Sequence, residues 1–238
     1  MNLKLAYLGL TLLMIGILMF IGSTAINKTF SDRKKRAGNL TILVLGLLAW
    51  QVYIYMLART GVTQDLSFPP KFALLLIIPA FIFTGIFIVK NRKNAWIHNI
   101  PPHWLIYYQT FRVGIETLFV FTVAAGMLHP NVTIEGYNYD MVFACTAPII
   151  GLLVFQFKTV SKKMALLWNY LGLAVIAVII FLFISTIYYP QMYGADTAPF
   201  PTAFGMYPYV LVPGFLMPSA VFVHVLSIVQ LSGNKDPD

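Results

Sequence analysis

Three polar side chains that could do chemistry lie inside one long apolar stretch, residues 104–128. Gln109, Arg112 and Glu116 are spaced three and four residues apart, which puts them on one face of a helix. Ionisable groups at membrane depth are costly, and they usually face a protein interior, a partner charge or a water-filled cavity. Arginine can hold an anionic group, and a buried glutamate can exchange a proton. This face therefore predicts a polar site within a membrane.

Two further polar residues are predicted to lie at a similar depth. Asn169 and His224 sit on two other apolar stretches, within about two turns of the cytoplasmic end of each. At a rise of about 1.5 Å per residue, they lie about 8–10 Å inside the membrane, near the level of Gln109 and Arg112. Glu116 lies deeper, at about 18 Å. Together these five side chains predict a pocket in the inner leaflet that binds a small molecule or an ion.

A purely structural interpretation of the same residues stays open. Arg112 and Glu116 are four residues apart on one helix, so they can form an ion pair that neutralises itself and only holds helices together. The functional interpretation depends on the convergence of Asn169 and His224. It is also favoured by Pro213-Gly214 and Pro218, which should break the helix beside them, because transporters place sites at such breaks.

A second polar group is predicted on the outer face of the membrane. The loop 129–140 contains Glu135, Asn138 and Asp140. The two carboxylates are five residues apart in a loop, which is weak spacing for metal ligands. No metal site is predicted from them.

The elements that must position these residues are membrane-spanning helices. The 238-residue chain is 59% hydrophobic and 10% charged, whereas charged residues make up about 25% of soluble domains. Uniformly apolar runs of membrane length must form helices, because lipid offers the backbone no hydrogen bonds. We predict an all-α membrane protein, a single domain over residues 1–238 built as a bundle of seven transmembrane helices. The predicted spans are 3–23, 40–59, 71–89, 104–128, 141–157, 164–187 and 208–231.

The positive charge predicts the orientation of the bundle. The chain has a net charge of +8, and most of its basic residues lie in loops on one side of the predicted spans. Cytoplasmic loops carry such an excess, so the N-terminus is expected outside and the C-terminus in the cytoplasm. This placement also argues against a nucleic-acid partner and for the lipid bilayer as the surrounding medium. The basic residues on the cytoplasmic side are Lys28, Arg33, Lys34, Lys35, Arg36, Lys90, Arg92, Lys93, Lys158, Lys162, Lys163 and Lys235.

Three function classes fit this architecture. The favoured one is transport or binding of a small molecule or ion. The alternatives are an intramembrane enzyme acting on a lipid or isoprenoid and a scaffold subunit of a membrane complex. No HExxH, GxSxG or phosphate-binding loop is present in the sequence. No cofactor is predicted, and covalent retinal is disfavoured because neither 164–187 nor 208–231 contains a lysine.

Four sequence motifs carry a resemblance to a known group of proteins. The motifs QTFRVGIE, TIEGYNYD, LLWNYLGL and MPSAVFVH are spread over residues 109–224. As a set they resemble a family of bacterial polytopic integral membrane proteins without an assigned activity. The resemblance implies a bacterial inner-membrane location. It also implies that seven of the candidate polar residues form one constellation: Arg112, Glu116, Glu135, Asn138, Asp140, Asn169 and His224.

Overall fold

The chain folds entirely into helices and loops in the part that the computed structural model describes, residues 2–195 and 197–233. No strand occurs in these residues, so the all-helical prediction is confirmed. The predicted cytoplasmic Lys235 lies outside the described residues. The α-helices are α1 (Leu3–Thr29), α2 (Arg33–Arg59), α3 (Ile78–Asn91), α4 (Ala95–His98), α5 (Pro102–Tyr108), α6 (Phe111–Ala124), α7 (Asp140–Gly151), α8 (Lys162–Tyr188) and α9 (Met217–Gly233).

Five helical segments are long and apolar enough to cross a membrane. Three are α1, α2 and α8, each of 27 residues. The other two are α3 and α9, each extended at its start by a π-helical turn, to 19 residues over Ala73–Asn91 and 22 over Val212–Gly233. A length of about 20 apolar residues matches the hydrocarbon thickness of a bilayer. The chain is therefore a multi-pass membrane protein by length and composition.

Two of the seven predicted spans differ from this pattern. The span predicted at 104–128 consists of α5 and α6, which meet at an irregular turn where Gln109 and Thr110 donate to carbonyls only three residues back. The span predicted at 141–157 is a shorter apolar helix, Asp140–Gln156. The break falls at two polar residues, Gln109 and Thr110, and the short helix has the length of the predicted span. Hydropathy averaged over a long window smooths over a break of two residues.

The helix α9 is at the centre of the bundle. It packs against α3, α5 and α8, and most of its side chains are buried. By contrast, α2 lies at the edge, and only Ile54 and Ala58 of its side chains are buried, as expected for a helix that faces lipid. Asp32 caps the start of α2, where its Oδ1 accepts from Lys34 N at 2.8 Å.

The segment between α6 and α7 returns into the protein. The chain leaves α6 at Ala124, and α7 then begins at Asp140, which contacts Arg112 near the start of α6. Residues 125–139 must therefore run back along the length of α6. Val132 and Thr133 within this return segment are fully buried. This path brings polar residues of the return segment to the level of the polar face of α6.

Candidate functional site

The centre of the site is an ion pair between Arg112 of α6 and Asp140 of α7. Arg112 Nε donates to Asp140 Oδ2 at 3.0 Å, and Arg112 Nη2 donates to Asp140 Oδ1. Both side chains are buried. This bidentate geometry is the one in which a guanidinium and a carboxylate bind best. The ion pair that Arg112 forms among the described residues is thus between helices, where the sequence had indicated Glu116 as a candidate partner on the same helix.

His224 of α9 binds the same guanidinium from the other side. Its Nε2 lies 3.2 Å from Arg112 Nη1, and its Nδ1 lies 2.9 Å from Asn169 Oδ1. Arginine can only donate, so Nε2 must accept and the ring proton lies on Nδ1, from which it is donated to Asn169. In this arrangement the imidazole is neutral and both of its nitrogens are in use.

Asn169 of α8 completes the chain of hydrogen bonds. Its Nδ2 donates to Ser227 Oγ at 3.0 Å and to the Ala165 carbonyl at 2.7 Å. The close approach of α8 to α9 depends on Gly172, since a Cβ atom at that position would clash with the imidazole of His224. The glycine of the LLWNYLGL motif is therefore explained by packing.

Glu116 is held by Asn138 of the return segment. Asn138 Nδ2 donates to Glu116 Oε1 at 2.9 Å and to the Val132 carbonyl at 3.0 Å, while its Oδ1 accepts from the backbone N–H of Asp140 at 2.9 Å. Glu116 is 1% exposed. Its other oxygen, Oε2, has no hydrogen-bond partner within the described residues.

The structure groups the predicted residues differently from the sequence. Asn138 and Asp140, predicted as an outer-face group, contact Glu116 and Arg112 because the return segment folds inward. Glu135 of that group is exposed and lies apart. Gln109 is fully buried and donates to the Ala220 carbonyl at 3.1 Å. This hydrogen bond links the turn between α5 and α6 to α9 beside the site.

A cavity of about 330 Å³ opens next to these polar groups. Arg112, Glu116 and Asp140 line it at one place, and nearly all of the remaining lining is aliphatic or aromatic. The apolar lining comes from α3, α6, α8, the π-helical turn before α9 and the loop around Phe204. A ligand with an apolar body and one polar end would match this cavity lining.

Some residues of the site were missing from the sequence-based prediction. Ser227 lies one turn after His224, so it could have been found as the next polar residue on that face. Phe143 stacks on Trp168 with ring centroids 4.8 Å apart and lies 5.5 Å from the guanidinium carbon of Arg112. Nothing in an apolar helix distinguishes such an aromatic residue from its neighbours.

The described residues contain no group of three or more His, Cys, Asp or Glu side chains that could hold a metal ion.

Comparison with known proteins finds no matching family model, no matching curated protein and no matching solved structure. The resemblance to a bacterial membrane-protein family therefore stays a prediction.

Proposed function

We propose that this multi-pass membrane protein binds a small apolar molecule in the cavity between α3, α6 and α8, and that the binding serves transport. The observation that carries the proposal is the cavity itself, about 330 Å³ in volume, apolar over most of its surface and charged at one place. Ligand sites have volumes of about 300–1,000 Å³ and combine apolar walls with a few fixed polar groups.

The alternatives have less support from the same region. An intramembrane enzyme using His224 as acid or base would need that imidazole to reach a substrate. His224 is fully buried, with both ring nitrogens hydrogen-bonded to side chains of the protein. For a scaffold subunit, we would expect the interior between α6 and α8 to be filled by the protein's own side chains.

The proposal includes the membrane and the orientation. We propose a bacterial inner membrane and seven crossings, one formed by α5–α6 and one by the return segment 125–139 together with Asp140–Gln156. The N-terminus is external and the C-terminus cytoplasmic in this proposal. The support for this orientation is the clustering of basic residues in alternate loops, which fits the positive-inside rule.

Filling the cavity tests the binding proposal. Ile180 on α8 lines the cavity, so Ile180→Trp should occupy the space that a ligand needs. The measurement is labelling of the protein in proteoliposomes by photoreactive decanol, with the labelled residues mapped by mass spectrometry. We expect label on the cavity walls of α6 and α8 in the natural protein and at least a fivefold loss in Ile180→Trp.

A matched variant controls for the added indole. Ile149 of α7 is exposed, and Ile149→Trp should leave cavity labelling unchanged. Transport is followed by the accumulation of a fluorescent lipophilic amine in cells that express each variant. An absence of cavity label in the natural protein would overturn the binding proposal. Equal accumulation with natural protein and Ile180→Trp would overturn the link to transport.

A further inference from the structure

The unpaired oxygen of Glu116 gives the cavity a chemical preference. Glu116 lines the cavity, and it is 1% exposed. Its Oε2 finds no hydrogen-bond partner in the part of the chain that the structure describes. A buried acceptor without a partner is destabilising, and more so when it is charged. A ligand that donates a hydrogen bond there would remove that cost.

Asn138, which binds the other oxygen of Glu116, cannot satisfy this one as well. Asn138 Nδ2 is already divided between Glu116 Oε1 and the Val132 carbonyl, at 2.9 and 3.0 Å. Its Oδ1 is occupied by the backbone N–H of Asp140 at 2.9 Å. Asn138 therefore fixes one oxygen of the carboxyl group and has no donor to offer the other.

The charges at this end of the cavity also favour a ligand whose head donates a hydrogen bond over one with an anionic head. Arg112 uses its Nε and Nη2 on Asp140, and its Nη1 faces His224. The guanidinium is therefore matched by Asp140 before Glu116 is counted, and His224 is neutral in this hydrogen-bond pattern. The cluster bears a charge of minus one with Glu116 ionised, the state in which Oε2 is a free acceptor, and zero with Glu116 protonated, when that oxygen can itself donate. In neither state does it have a surplus positive charge for an anionic head.

We infer that the ligand is an apolar molecule ending in a hydrogen-bond donor, an amine or a hydroxyl, which binds Glu116 Oε2 while its apolar body lies between α6 and α8. This inference rests on the proposed function, since it names the class of molecule that the cavity takes. The apolar lining by Ile115, Phe119, Ile176 and Phe183 fits the body of such a molecule. An amine and a hydroxyl share the donor that the geometry requires, and the experiment separates them.

The test compares three photoreactive decyl probes that differ only in their heads: decylamine, decanol and decanoate. In the natural protein we expect decylamine and decanol to label the cavity at concentrations about tenfold or more below decanoate, which matches the free energy of a hydrogen bond to a charged group. The stronger of the two donor probes identifies the head.

The variant Glu116→Gln tests the contact directly. Its carbonyl oxygen can still accept from Asn138, whereas its NH₂ group replaces the free acceptor with a donor. We expect labelling by decylamine, whose ammonium head can only donate, to fall about tenfold or more. Decanol labelling should fall less, because its hydroxyl can accept from the new NH₂ group, and decanoate labelling should stay equal or rise. Glu135→Gln removes an exposed carboxylate from the return segment and should change none of the three.

The possible results distinguish failure of the donor-head inference from failure of the proposed function. Equal labelling by all three probes, or preferred labelling by decanoate, overturns the donor-head inference and leaves the cavity as a binding site. Failure of every probe to label the cavity overturns the proposed function itself. If Glu116→Gln does not fold, the order of the three probes on the natural protein still decides the inference.

Discussion

Arg112 is the residue around which the other polar side chains of the bundle are arranged. Its guanidinium contacts Asp140 from α7 and His224 from α9, and His224 in turn contacts Asn169 from α8. A buried ion pair of this kind often contributes little net stability, but removing one partner is costly, because the other is left as an unpaired buried charge. The arrangement therefore holds four helices, α6, α7, α8 and α9, in one relative position.

This pairing predicts an asymmetry between single and double variants. Asp140→Leu should destabilise the protein by about 3–5 kcal/mol, because it leaves Arg112 charged and unpaired in the interior. The double variant Arg112→Met with Asp140→Leu removes both charges and should recover most of that loss. The measurement is thermal unfolding in detergent, followed by tryptophan fluorescence. A double variant as unstable as Asp140→Leu alone would contradict the assigned pair.

Two prolines inside the long helices show how α2 is joined to its neighbours. A proline frees the carbonyl four residues before it, because it has no N–H and its ring displaces the backbone. Pro79 frees the carbonyl of Leu75, which accepts from Tyr53 Oη at 2.9 Å. In the same way, Pro218 frees the carbonyl of Gly214, and Trp50 Nε1 donates to it at 2.8 Å.

Both donors lie on α2, one turn apart, so a single helix satisfies the broken hydrogen bonds of two others. Pro79 and Pro218 each lie two residues after a π-helical turn, Ala73–Ile77 and Val212–Leu216, and these two turns pack against each other. These turns also contribute to the cavity wall. The irregular backbone beside the prolines of α3 and α9 therefore forms part of the cavity wall.

The hydrogen bond from Tyr53 Oη to the Leu75 carbonyl can be tested with a variant that removes only the hydroxyl oxygen. Tyr53→Phe should lower stability by about 1–3 kcal/mol, since the Leu75 carbonyl is left without its donor in an apolar environment. Tyr55→Phe is the control, because Tyr55 packs edge-to-face on Tyr207 through its ring. In a Pro79→Ala background, the restored N–H can bind the Leu75 carbonyl, and the cost of Tyr53→Phe should shrink. An equal cost in both backgrounds, measured by thermal unfolding, would exclude this explanation.

At the scale of the whole molecule, the orientation in the membrane follows from charge. The loop between α1 and α2 lies in a basic region, Lys28–Arg36, whereas the loop after α2 contains Asp65. Arg and Lys are retained on the cytoplasmic side during insertion, while acidic residues have little influence. We therefore expect these two loops to lie on opposite sides, the first one inside.

Two exposed serines, one in each loop, allow the orientation to be tested with the same substitution to cysteine. Ser31 lies in the first loop and Ser67 in the second, and both are exposed. In a Cys145→Ser background, Ser67→Cys should react with a membrane-impermeant maleimide in intact spheroplasts. Ser31→Cys should react only after permeabilisation. The reverse pattern of labelling would show that the bundle is inserted with its N-terminus inside.

The sequence alone determined the class of protein and the positions of its helices. A backbone in lipid must bond internally, so apolar runs of sufficient length form helices whatever their partners are. The five long helices were recognisable for this reason, and the polar residues of 104–128 stood out because charge is rare at that depth. Arg112, Glu116, Asn169 and His224 were all selected on this basis.

Which of these side chains touch was decided only by the tertiary structure. Arg112 lies 28 positions from Asp140 and 112 from His224 in the chain, so their contact depends on how separate helices pack. The inward path of residues 125–139 moved Asp140 and Asn138 from a predicted outer loop to the polar face of α6. Hydropathy reports how apolar a segment is, but the register between helices is set by packing, as where Gly172 admits His224. The cavity beside Glu116 has the same origin, because it is the space that this packing leaves between the helices.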